Sequence, residues 1–173
     1  MKTVAVTFVL VCASIAHSAN PLSTEARQVY TSVKSNILRS AEKMPEENYG
    51  FKPAPRVRTF GQILGHVAEE QYIFCSAVRG EQKAVDIEKT KTSKADLLVA
   101  LRESFAYCDA AYDGLTDAAA VEMLKVGATE HTKLRMLWVN TVHDESHWCR
   151  QLRASEDPRL CLHAVTCQPG LIS

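Results

Sequence analysis

The chain has no excess of charge of either sign. Twenty Lys and Arg balance twenty Asp and Glu across 173 residues. A broad nucleic-acid surface needs a basic face to displace counterions, so that function class is excluded. There is no CxxC pair, which removes a zinc ribbon or a thioredoxin-like site. There is also no glycine-rich phosphate loop, no GxSxG, no internal repeat and no convincing strand. No apolar run reaches the length of about 20 residues that spans a bilayer.

The longest apolar stretch, Val4–Ile15, follows Lys2 and precedes Ala16 and Ser18. A short positive start, an apolar centre and small residues spaced for cleavage are the pattern of a secretory signal over residues 1–18. The expectation is an exported protein, with no stable membrane span after cleavage. Residues 19–154 then form one domain and 155–173 a tail. Five of the six cysteines remain: Cys75, Cys108, Cys149, Cys161 and Cys167. An odd count in an exported chain implies a free thiol or an intermolecular bridge. Cys75 and Cys108 fall in helical stretches and read as core fillers.

What the chain does have is helical periodicity. Pro21–Met44 repeats apolar residues over six turns, and Pro45 ends it. Residues 45–58 form a loop. Thr59 is placed to cap a second helix, Phe60–Arg79, which Gly80 stops. Residues 81–92 read as a polar surface loop. Ser93 and Asp96 form a capping pair for a third helix, Lys94–Leu115. Residues 116–131 read as a connection. Thr132 caps a fourth helix from Lys133 to about Ala154, apolar around much of its girth and therefore expected deep in the core. Leu134, Leu137, Trp138, Thr141, Val142, Glu145 and Trp148 mark one of its faces. The two tryptophans are expected to pack. The fold class is all-α, a four-helix bundle.

The chemistry concentrates in Thr141–Cys149, TVHDESHWC. His143 and His147, four apart on a helix, share one face and can close on one divalent ion. Two solvent-facing histidines would give the same spacing. Bundles hold metal between facing helices, so His66 on the second helix is a candidate third ligand. Three neutral imidazoles leave an ion its full charge and an open position, the pattern of a catalytic zinc site; nickel, iron or manganese would also accept these ligands. Glu70, one turn from His66, is a candidate base or supporting carboxylate. Asp144 and Glu145 do not share the histidines' face. Either can orient an imidazole, though Asp144 reads as a solvated carboxylate. His131, just before the fourth helix, and His163, in the tail, are left out of the site.

Several stretches resemble the DinB/YfiT-like metalloenzyme family. They are Met44–Pro45–Glu46–Glu47 with Tyr49 and Phe51, then Pro53–Ala54–Pro55, Arg58–Thr59–Phe60, Ile63, Leu64 and Gly65–His66–Val67–Ala68. The later stretch is Val142–His143–Asp144–Glu145–Ser146–His147. The resemblance runs from about Thr24 to His147. It implies a bundle with a long crossover, a metal site from His66, His143 and His147, and often a homodimer. It further implies kinship with thiol-dependent S-transferases and a thiol-dependent isomerase, in a family whose substrates are mostly unknown. After His147 the sequence departs from the pattern. Cys149 takes a glycine position, and Pro158, Cys161 and Cys167 lie in an atypical tail, either lineage-specific or the product of an altered reading frame. The function expected is a metal-dependent hydrolase or thiol S-transferase acting on a small molecule. The alternative is a non-catalytic metal-binding or structural bundle.

Overall fold

The computed structural model describes the backbone of residues 20–52 and 54–154, and the side chains of those residues as far as His147. The expected signal segment, the tail with Cys161, His163 and Cys167, and the side chains of Trp148 and Cys149 lie outside the described residues.

Four long helices build the bundle: α1 (Pro21–Lys43), α2 (Phe60–Val78), α4 (Lys94–Asp113) and α6 (Lys133–Ala154). Two short ones, α3 (Ile87–Thr90) and α5 (Asp117–Ala120), lie in the connections. Local chemistry accounts for the starts. Thr59 and Gln62 form a reciprocal capping box at α2, Ser93 accepts the Asp96 amide at α4, and Thr132 accepts the Arg135 amide at α6. At α1 the adjacent Asn20 does not cap the helix. Asp117 of α5 does, taking the Leu22 amide at 3.1 Å and the Ser23 amide at 2.9 Å, while Asn20 Oδ1 accepts the Asp117 amide at 2.9 Å.

Helices α1 and α2 each pack against both α4 and α6. Ile37, Leu64, Val67, Leu101, Phe105 and Leu137 fill the centre. Tyr30 stacks on Tyr112 with ring centroids 3.8 Å apart, and each buried hydroxyl finds a carbonyl, Phe105 O at 3.0 Å and Leu137 O at 2.7 Å.

The structure departs from the sequence pattern in three places. The 116–131 connection is not structureless: it carries α5 and a two-stranded antiparallel hairpin, β1 (Met123–Val126) and β2 (Thr129–Thr132). Gly127, with φ of 61°, takes the first position of its two-residue turn. His131 therefore sits in a strand. Second, Cys75 and Cys108 are not separate fillers. They are fully buried and joined by a disulfide between α2 and α4, their Cα atoms 5.3 Å apart. Third, the inward face of α6 is Met136, Leu137, Asn140, Thr141 and Asp144. Trp138 stands 44% exposed, with Val139 and Val142 also on the outside. The helix buries one stripe, and that stripe includes polar residues whose partners lie on α2.

Candidate metal centre

Helices α2 and α6 run antiparallel, and the pairing of their polar residues sets their register. Asn140 donates to Gln71 Oε1 at 3.0 Å, and Gln71 Nε2 donates to Asp144 Oδ2 at 2.5 Å. All three side chains are fully buried. About one further turn along, the same register brings His66 of α2 to His143 and His147 of α6. The ring centroids are 5.4 Å apart for His66 and His143, 5.0 Å for His66 and His147, and 4.3 Å for His143 and His147. One ring nitrogen from each lies within 4.8 Å of the others.

This arrangement fits a divalent ion. His143 Nε2 and His147 Nε2 are 3.1 Å apart. Two nitrogens about 2.0–2.1 Å from a common ion stand roughly 2.9–3.4 Å from each other, depending on coordination angle. His143 Nδ1 is buried and has no hydrogen-bond partner among the described residues. Burial, then the charge of Arg58, pushes both His66 and His143 below the ordinary histidine range, with Glu88 opposing at His66. Neutral imidazoles are the form a metal takes.

Carboxylates surround His66 on its Nδ1 side. Glu70 Oε1 lies 4.0 Å away. Burial, then the neighbouring Glu69 charge, raises the Glu70 carboxyl above its ordinary range. Glu88, from the segment expected to be a surface loop, lies closer, with Oε2 3.6 Å from the same nitrogen. The signal for Glu88 was weak: Val85 and Ile87 are the only large apolar residues between 81 and 92, and Ile87 is what pins the short helix to the core. Glu145 makes no hydrogen bond or ion pair among the described residues.

The reading of Asp144 as solvated is overturned. It is 0% exposed, its Oδ2 is bonded to Gln71, and its Oδ1 has no partner among the described residues. Helical phase carries this position inward behind Leu137 and Asn140, and phase overrides polarity. Burial raises its carboxyl well above the ordinary 3.8; the Gln71 bond opposes this and the Glu70 charge adds to it. The folded state thus holds a proton that the unfolded chain releases above about 3.8. Stability therefore falls as pH rises from that value through the folded one. In metal-free protein, Asp144→Asn is expected to remove this slope. Urea midpoints of parent and variant should diverge progressively as pH rises above about 4. Parallel curves would show that Asp144 is ionised in the folded chain.

No curated protein matches the chain. Several solved structures share its fold. A DinB-like protein from Bacillus cereus ATCC 10987 is 14% identical, with a TM-score of 0.66 over 86% of this chain and 95% of that one. The mycothiol-dependent maleylpyruvate isomerase is 16% identical, TM-score 0.60, over 84% of this chain and 68% of that one. A conserved protein from Enterococcus faecalis is 14% identical, TM-score 0.60, over 82% and 97%. These likenesses concern the fold. The DinB superfamily profile matches residues 30–149, a span from α1 into α6 that takes in all three clustered histidines. The chain belongs to the DinB superfamily.

Proposed function

We propose that this chain is an exported divalent-metal-dependent enzyme, of hydrolase or thiol S-transferase type, acting on a small molecule. The observation that carries the reading is the meeting of His66 with His143 and His147 across two helices, one ring nitrogen of each within 4.8 Å of the others. A divalent ion held there, zinc being the best match and nickel, iron or manganese acceptable, supplies Lewis acidity to activate water or a thiol. The three imidazoles hold the ion. Glu70, 4.0 Å from His66 and raised by burial, has the setting of a general base.

Two features support export. One is the signal pattern of residues 1–18. The other is the Cys75–Cys108 disulfide, a bond that persists in oxidising compartments. Export favours hydrolysis, because low-molecular-weight thiols are mainly cytosolic. The thiol-transfer version draws on the shared fold of the mycothiol-dependent isomerase. No helix among the described residues is long and apolar enough to cross a membrane. A homodimer is part of the proposal, and the exposed Leu22, Val29, Trp138 and Val142 of α1 and α6 support it.

A non-catalytic metal-binding module is the second reading. It rests on the engagement of nearby carboxylates: Glu69 with the Glu88 amide, Glu88 with Arg58, and Asp144 with Gln71.

Metal content of the purified mature chain tests the common core of both readings. About one equivalent per chain is expected for a single site, lost in His66→Ala and in His143→Ala. A folded parent that takes up no divalent ion, or a His66→Ala variant that keeps its ion, would defeat the shared site.

A further inference from the structure

His66 is approached from behind by a short segment built to reach it. Helix α3 lies directly on α2 at Gly65, where an added Cβ would stand 2.7 Å from Glu88 Cα. Glycine is the residue that permits this approach. The Glu88 amide donates to Glu69 Oε1 at 2.7 Å, which ties the backbone of α3 to a side chain of α2 three residues from His66. Arg58 Nε donates to Glu88 Oε1 at 2.8 Å. The remaining oxygen, Oε2, is left 3.6 Å from His66 Nδ1.

We propose that Glu88 is a positioning residue that sets the tautomer and ring orientation of His66. The proposal rests on the three-histidine site described above. A carboxylate only accepts hydrogen bonds, so a carboxylate facing Nδ1 favours the proton on that nitrogen. Nε2 then carries the lone pair for the ion. A carboxylate behind a ligating imidazole also raises its basicity as a ligand. Glu70 faces the same nitrogen from 4.0 Å, but it lacks the anchoring that Arg58 and Glu69 give Glu88. His66, Glu69 and Glu88 also have atoms within 4.8 Å of one another, so a second ion there is the competing assignment.

The test uses the mature chain labelled with 15N at histidine. In the metal-free parent, long-range proton–nitrogen correlation is expected to show His66 protonated at Nδ1. In Glu88→Ala the proton should move to Nε2, wholly or in part. Zinc affinity, measured against a competing chelator, should fall about 10–100-fold. Glu88→Gln, which keeps an oxygen able to face Nδ1, should keep the parent tautomer and lose less affinity. An unchanged tautomer in Glu88→Ala would overturn the proposal. So would uptake of two zinc equivalents by the parent and one by Glu88→Ala, which would make Glu88 a ligand. Should the parent take up no zinc, the metal site fails, while the tautomer spectra still decide the role of Glu88.

Discussion

Replacing Cys75 and Cys108 together with alanine is expected to lower the stability of the bundle by about 3–4 kcal/mol. The bond closes a loop of sequence separation 33. In the chain-entropy account, a cross-link over a loop of that size removes roughly 3.7 kcal/mol of freedom from the unfolded chain. Both cysteines are fully buried, so the alanine pair also gives up the packing of two sulfurs, which places the loss toward the upper end of this range. Urea denaturation of parent and variant measures the difference, and a loss under about 1 kcal/mol would mean the disulfide contributes little of this constraint. Metal uptake should survive the change. Cys75 is nine residues beyond His66, which places it about 180° around α2 from the histidine. The disulfide faces α4, and the histidine faces α6.

Gly65→Ala is expected to damage fold and site together. The new methyl would sit 2.7 Å from one backbone atom of Glu88 and 3.1 Å from another. Backbone cannot swing aside as a long side chain can, so α3 must move off α2. Overpacking of this kind costs about 1–3 kcal/mol. It also withdraws Glu88 from His66, so zinc affinity should fall as far as in Glu88→Ala. The double variant should bind zinc no more weakly than Glu88→Ala alone, because both changes break one contact. Additive losses would separate the packing of α3 from the chemistry of Glu88. A Gly65→Ala protein with full stability and full affinity would refute the close approach itself.

Much of this architecture was legible in the residues. Thr59, and Ser93 with Asp96, announce helix starts in the local alphabet of capping, and Pro45 announces an end. The i, i+4 spacing of His143 and His147, together with a histidine on a helix expected to face them, was enough to bring the three rings together. What was not legible depended on tertiary placement. Glu88 sits in a charged stretch whose docking depends on the missing side chain of Gly65, a surface feature of another helix. A carboxylate usually belongs in solvent, so nothing local marks Asp144 as buried; its burial follows from helical phase and from Gln71 waiting on α2. The Cys75–Cys108 pairing joins two helices whose mutual rotation no local pattern specifies. The hairpin was hidden by four-residue strands with only part of one face covered, too short for alternation to stand out.

The clasp between Asp117 and the start of α1 has a bearing on the order in which the molecule assembles. The amides that open the first helix wait for a carboxylate 95 residues downstream. Until α4 has folded back and the connection has arrived, the beginning of α1 can only fray, so its earliest residues are among the last to settle. Contacts over such distances slow folding, because the loop must close before the bond repays it. It also means that a lengthened segment between α4 and α6 would be felt at the opposite end of the sequence, as a first helix that begins a turn late.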